Sequence, residues 1–420
     1  MNISIIETRT VPTVKVDDDK NSIIFHSKYD PLREANAWCK YALESLNDDE
    51  KVVIVGLGAG YHIKKLAETI PEKKITVIEF NSDYYHWFME SPLFAEIKVY
   101  SNVVLKLFSN LPLNQQKEVF TTISLENLCI HKSGLDMMPS HYEKVKEIVE
   151  DIQFRKNSIK NQIGNIRGNF AKNIALRDEG IGSLGNTYQG KPMILISAGP
   201  SLDKQMNLLK QIYNEDKVIL GAVATAIKPL LKNGIIPHFF ILIDPNITTY
   251  TQLTDINLPE TPMFYLSSAF HDTVLLHKGP RRILWQNGLT EAEEMAHKLN
   301  EPLVQTGGSV ATALLDLMII LGASNVALVG QDLAYTDGLS HASHAHAQKS
   351  ITETAVIHWT MNYYQNGEVA TAKNLTIYRK WFENYAEAHP SLELYNCTEG
   401  GAYINNWKHI SLNSYYETIR

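Results

Sequence analysis

The stretch Met193-Ile194-Leu195-Ile196-Ser197-Ala198-Gly199-Pro200-Ser201-Leu202-Asp203 decides how this chain is read. An apolar run from Met193 to Ile196 stops at a turn of small residues. Leu202, Met206, Leu208 and Leu209 then follow at helical spacing. That is a buried strand, a tight turn and a helix start. Gly199 admits close backbone approach, Ser201 is placed to cap the helix, and free N–H groups at a helix start suit a phosphate. The expectation is a nucleotide site in the central third of the chain.

Outward from this stretch the pattern is α/β alternation from Pro192 to about Leu333. Strands are expected at 193–197, 217–221, 239–243, 263–267, 282–286 and 325–329, and helices at 202–212, 224–232, 290–299 and 309–321. Short connections between such elements imply a mostly parallel sheet covered on both faces. Three turns follow strands: Ser197 to Ser201, Asp244-Pro245-Asn246, and Gly330-Gln331-Asp332-Leu333. A fourth element, Thr306-Gly307-Gly308-Ser309, opens an apolar helix. Ligands of open parallel sheets lie outside the carboxyl ends of the strands, so the four are expected to face one crevice. Each also has a plain structural use, as a connection or as a helix cap.

Beyond Asp332 the chain carries His341, His344 and His346 on a Gly/Ser-rich loop expected beside the crevice. A loop that supplies a general base is one reading. A metal site is a second, and an exposed polar loop is a third. The base is preferred to the metal, and no metal ligands are assigned. Asp332 and Asp337 could hold a hard ion, but their spacing does not demand it.

The first 139 residues contain a βαβ unit. A strand at 51–55, the turn Gly56-Leu57-Gly58-Ala59-Gly60, a helix at 61–70 and a strand at 75–79 ending in Glu79 have the layout of a Rossmann-like fold. The turn either holds a nucleotide around Gly56, Gly58, Gly60 and Glu79, or its glycines only permit a tight bend. Residues 140–190 read as a helical linker closed by the Gly-rich segment 178–191. A central nucleotide-sugar-binding catalytic domain is expected over 191–348, and a helical, aromatic part over 349–420.

Length and composition agree with an ordinary soluble protein of two or three domains: 420 residues, 44% hydrophobic and 20% charged. A net charge of −7 and the lack of a basic stripe argue against a nucleic-acid partner. Cys39, Cys129 and Cys397 are too sparse for a disulfide framework. The N-terminus lacks a signal-peptide pattern, and Asp316, Gly322 and Asn325 interrupt the most apolar stretch, so no membrane span is expected. A cytoplasmic location follows as an expectation.

Several pieces resemble one family. I-S-A-G-P-S-L-D (196–203), the segment 224–245, T-G-G-S-V-A-T-A-L-L-D-L (306–317) and L-G-A-S-N-V-A-L-V-G-Q-D-L-A-Y-T (321–336) are similar to the central domain of the motility-associated factor (Maf) glycosyltransferases. These belong to a wider group related to the archaeal 6-hydroxymethylpterin pyrophosphokinases. H-S-K-Y-D-P-L-R-E-A (26–35) and the βαβ unit resemble the N-terminal part of Maf proteins. The resemblance implies an α/β protein with a Rossmann-like N-terminal domain, a central sialyltransferase-like (GT-A-like) domain and a helical C-terminal part. It implies a donor of CMP-pseudaminic or CMP-legionaminic acid, Ser or Thr hydroxyls of flagellin as acceptor, and inversion at the anomeric carbon. Gly199, Pro200, Ser201, Asp244, Thr306, Gly307, Gly308, Ser309 and Gln331 would bind the donor. Asp332, with His341 or His344 as base, would carry the chemistry. No cofactor is expected to be required, and the role of Mg²⁺ stays open. Ala198 departs from the polar residue often found there in sialyltransferases. The rival readings are an ATP/Mg²⁺ pyrophosphokinase using Asp244 and Asp332, and a protein that binds flagellin or a nucleotide sugar without turnover.

Overall fold

A computed structural model describes residues 1–17, 22–47, 49–121, 127–185, 187–345 and 358–419. The chain divides into two compact units, Met1–Asn161 and Gln162–Arg420. The division falls within one helix, Glu143–Ile174, in the stretch read from sequence as helical and polar. Among the described residues no helix is long and apolar enough to cross a membrane.

In the first unit, strands β1 (Asn2–Ile6), β2 (Thr13–Asp17) and β3 (Ser22–Ile24) form an antiparallel sheet. Strands β4 (Lys51–Val55), β5 (Lys74–Glu79), β6 (Val103–Leu107) and β7 (Leu128–Ile130) form a parallel one in the order β6-β5-β4-β7. The βαβ unit read from the Gly-rich turn is therefore present, with β4 followed by the helix Tyr61–Thr69. Val52, Ile54, Val77 and Leu66 pack in its core.

The second unit is built on a sheet of nine strands. They are β8 (Pro192–Ile196), β9 (Ile219–Val223), β10 (Phe239–Leu242), β11 (Met263–Leu266), β12 (Arg281–Gln286), β13 (Leu303–Val304), β14 (Asn325–Val329), β17 (Glu393–Asn396) and β18 (Lys408–His409). A separate antiparallel pair is formed by β15 (His358–Met361) and β16 (Glu368–Thr371). The spatial order is β13-β12-β11-β10-β9-β8-β14-β17-β18, and the pairings are parallel throughout. The sheet starts at β8 and is laid down in one direction as far as β13. The chain then returns to add β14 on the other side of β8. The strand order thus reverses between β8 and β14, and such a switch point opens a crevice at the strand ends.

Each strand expected in the central region is present within two residues. The segment after residue 349 contains the helices Lys373–Ala388 and Leu412–Ile419, and it also contributes β17 and β18 to the main sheet. Its aromatic pattern hid the strands. Phe382 and Tyr385 are buried on the helix, whereas Trp359 and Tyr364 stay exposed.

The helix Val310–Ile320 is apolar on nearly every side and buried from Ala311 to Met318. It lies against β8 and β9 and against the helix Lys373–Ala388. Its single acid, Asp316, accepts hydrogen bonds from the Gln305 amide (2.7 Å) and the Tyr385 hydroxyl (2.8 Å). Burial pushes its carboxyl above the usual range, with these donors pulling the other way. Replacing Asp316 by Ala removes the acceptor of the Gln305 amide and leaves the buried Tyr385 hydroxyl unsatisfied, the latter at a cost of about 1–3 kcal/mol. Urea unfolding of Asp316→Ala should show a loss of at least that size. A midpoint equal to wild type would refute this account of the helix.

Candidate functional site

The turns after β8 and β14 meet at the switch point, and a buried carboxylate joins them. Asp332 is 3% exposed. It accepts from the Ser201 hydroxyl at 2.7 Å, from the Ser201 amide at 3.3 Å and from the Thr336 hydroxyl at 2.5 Å. Burial raises its carboxyl above the ordinary range, while the donors from Thr336 and Ser201 lower it. Gly199 makes this approach possible: a Cβ there would collide with Asp332 Oδ2 and with the Gly330 carbonyl. The Gly199 amide donates to that carbonyl at 2.7 Å.

This geometry corrects two local expectations. Ser201 does not cap its helix, because its hydroxyl is committed to Asp332. The helix start at Ser201 also lacks free amides. Those of Gly199, Ser201, Leu202, Asp203 and Lys204 are all bonded within the turn or to Asp332, and Pro200, which is buried, has none. The protein's own carboxylate stands where an external anion was expected, and it satisfies the same positive end of the helix.

The second helix start is different. Ser309 caps the helix Val310–Ile320 by accepting from the Thr312 amide at 3.4 Å. Among the described residues no protein acceptor takes the amide hydrogens of Ser309, Val310 or Ala311. These three residues line a cleft of about 180 Å³ together with Gly199, Gln331 and Asp332. Free amides at the N-terminus of an eleven-residue helix are suited to an anion. Gln331 holds the Ser197 hydroxyl at 2.5 Å, which ties the cleft floor together.

The glycines before this helix start serve the protein first. A Cβ on Gly307 would strike the Trp381 ring, and one on Gly308 would come within 3.2 Å of Tyr378 Cε1. Thr306 is half-buried beside them. Tyr378 and Leu375 of the helix Lys373–Ala388 line the cleft, as does Thr225 after β9. Sequence reading did not find these three, because the only trace they leave is a pair of small residues elsewhere. Burial raises the Tyr378 hydroxyl, Asn374 lowers it, and the charge of Asp244 raises it further. Asp244 itself is not a lining residue. Its Oδ1 accepts from the amide and side chain of Asn246, both at 2.8 Å, in a closed turn.

The histidine loop is split. His341 lines the cleft, and its Nδ1 lies 3.1 Å from the Ser340 hydroxyl. His344 is exposed at a positive φ of 68°, and its Nε2 accepts from the Lys232 ammonium at 2.8 Å. An imidazole nitrogen that accepts from an ammonium has no lone pair left there for a substrate proton. The loop is anchored to the first turn by Ala342 N to Ala198 O (2.8 Å) and by Ser343 N to Asp203 Oδ2 (2.9 Å). His346 lies outside the described residues. A larger hollow of about 580 Å³ flanks β12 near Trp285 and Glu301, but the switch-point residues do not line it.

A doubly wound parallel sheet with a small, partly amide-lined cleft at its switch point defines a class of α/β proteins that hold ligands at strand ends. Within that class, residues 165–338 match a family model described as 6-hydroxymethylpterin diphosphokinase MptE-like. The chain is similar to the solved structure of MAf glycosyltransferase from Magnetospirillum magneticum AMB-1, with 18% sequence identity and a TM-score of 0.52. That likeness covers 93% of this chain and 64% of that one, so this chain spans less than two thirds of its length. At this identity the likeness is one of fold. No curated protein matches the chain. The fold and the central module thus agree with the resemblance to the Maf and MptE-like group carried by the motifs.

Asn at position 332 would present a donor where three donors already converge. Asp332→Asn is expected to lower stability by about 1–3 kcal/mol. Thermal denaturation of the variant, compared with Ser201→Ala, measures this effect. A midpoint within error of wild type would show that the carboxylate does not hold the turns together.

Proposed function

We propose that this protein is a glycosyltransferase that moves a nonulosonic acid, pseudaminic or legionaminic acid, from its CMP donor to Ser or Thr hydroxyls of flagellin. Its biological role in this reading is flagellum assembly and motility. The observation that carries the reading is the pairing, in one switch-point cleft, of the unclaimed amides of Ser309, Val310 and Ala311 with the imidazole of His341. The fold shared with a MAf glycosyltransferase supports it.

In this mechanism the amides at the second helix start receive the leaving phosphate and stabilise its charge without a metal. His341 takes the proton of the acceptor hydroxyl as that oxygen attacks the anomeric carbon. The bond from that carbon to the phosphate oxygen breaks, its electron pair leaves with CMP, and the configuration inverts. Asp332 acts as a positioning residue, since its oxygens are engaged by Ser201 and Thr336. His344 has no part in the chemistry.

The family description of residues 165–338 favours a second reading, a diphosphokinase that uses ATP and Mg²⁺. Its carboxylate ligands would be Asp244 and Asp332, but Asp244 is engaged by Asn246 within its own turn, and Asp332 by Ser201 of the turn after β8 and by Thr336. A non-catalytic flagellin- or nucleotide-sugar-binding role is the third.

His341→Ala should abolish transfer of the nonulosonic acid to flagellin, measured by mass spectrometry, while CMP binding is retained. His344→Ala should stay near wild type. The reverse order would overturn the assignment of the base. In calorimetry, CMP should bind without Mg²⁺, and Val310→Asp should weaken it by about tenfold or more, because a carboxylate would then face the phosphate. Mg²⁺-dependent ATP binding with no response to CMP would establish the diphosphokinase reading instead. Tight CMP binding with no turnover on any flagellin would leave the binding role.

A further inference from the structure

The unit Met1–Asn161 contains a side-chain cluster that the transfer reaction does not use. His26 follows β3, His62 lies in the first turn of the helix Tyr61–Thr69, and His131 follows β7. Three distant segments thus bring imidazoles to the carboxyl end of β4, beside the Gly-rich turn. No motif spacing links positions 26, 62 and 131, so nothing in the sequence marks them as a set. One nitrogen from each ring lies within 4.8 Å of the others. The rings of His62 and His131 stack at 4.2 Å, and that of His26 lies 4.7 Å from His131.

All three are buried, at 4%, 0% and 4% exposure for His26, His62 and His131. Among the described residues, both nitrogens of His26 and the Nδ1 atoms of His62 and His131 have no hydrogen-bond partner. Leaving such groups unsatisfied in the interior costs about 1–3 kcal/mol each, where Leu or Phe would fill the same space without that cost. Burial holds the rings uncharged: His131 is pulled down to about 4, and His26 and His62 fall well below the ordinary histidine value. The ring nitrogens that lack a partner are what leaves lone pairs open to a ligand.

The surroundings resemble the outer shell of a metal site. His62 Nε2 lies 3.3 Å from the Gly56 carbonyl, and a donated hydrogen there leaves the Nδ1 lone pair for the cluster. Glu34 Oε1 stands 3.8 Å from His26 Nδ1, which is beyond hydrogen-bond distance. A Cβ on Gly58 would come within 2.8 Å of His131 Cε1 and 3.1 Å of His26 Nε2. The space that this turn opens is therefore filled by imidazoles, at the place where a dinucleotide would have to approach.

We propose that His26, His62 and His131 bind one divalent transition-metal ion of the zinc class, with a fourth position left to water or another small ligand. A donor set of neutral nitrogens selects such ions over Mg²⁺ or Ca²⁺, which prefer oxygen. Zn–N bonds of about 2.0–2.1 Å bring the ligand nitrogens closer together than they stand here. Side-chain rotations on the order of an ångström complete the site. The ion would tie the end of the β3 hairpin, the Gly-rich turn and the end of β7 at one point.

The test uses the full chain, stripped with chelator and titrated with Co²⁺ and then Zn²⁺. The expected result is uptake of one ion per chain, with the visible bands of four-coordinate Co²⁺, displaced by Zn²⁺. Single substitutions His62→Gln and His131→Gln should lower affinity more than the 10–100-fold seen when an outer-shell partner is lost. The double variant His341→Ala/His344→Ala should keep the ion, which separates this site from the surface histidine loop. No stoichiometric uptake by the wild-type chain overturns the proposal, whether or not the Gln variants fold. Uptake that survives both Gln substitutions, or that disappears in the loop variant, overturns it as well.

Discussion

The second unit depends on one buried carboxylate. Asp332 collects the hydroxyl and amide of Ser201 and the hydroxyl of Thr336, and so fastens the turn after β8 to the turn after β14. Those two turns flank the switch point, where the sheet stops growing in one direction and starts again in the other. Further segments converge on the same residue. The Ala402 amide donates to the Asp332 carbonyl at 2.8 Å, and a Cβ on Gly401 (φ 73°) would strike that carbonyl. A carboxyl group so deep in the protein is tolerated because its oxygens are hydrogen-bonded and the helix Leu202–Glu215 presents its positive end to it.

The first unit uses the same device. Glu79 ends β5, is 1% exposed, and accepts from the amides of Leu57 (3.0 Å), Phe80 (2.9 Å) and Asn81 (2.9 Å). In dinucleotide-binding folds an acid at this point reaches a ribose, whereas here it holds the Gly-rich turn. Of the two readings that the turn allowed, the geometry favours the tight bend. In both units a pattern that looks ready for a nucleotide is closed by a protein carboxylate. The open amides lie instead at the helix start that follows Gly307-Gly308. The difference arises from chain connectivity, since an acid far away in sequence, at 332 or 79, returns to the turn.

Much of the architecture was legible. Apolar runs such as Met193–Ile196 and Val326–Val329 mark strands because a parallel strand is covered on both faces, and both runs are fully buried. The helix Val310–Ile320 was readable from its length and its Ser cap. The strand Glu393–Asn396 was not, because Leu394 and Tyr395 alone give no clear period. Within the site, the residues at strand ends were legible as candidates. The separation of His341, which lines the cleft, from His344, which meets Lys232, was not.

The sequence by itself determined the α/β alternation, the parallel sheet, and the segments that end at the crevice. These follow from local period, turn chemistry and the need to bury apolar runs. Only the tertiary structure decided which amides stay free, which histidine reaches the cleft, and that His26, His62 and His131 meet. Such outcomes depend on contacts between residues far apart in sequence, such as Ser201 and Asp332 at 131 positions or Lys232 and His344 at 112. A side chain's type is written in the sequence, but its partner across the fold is not.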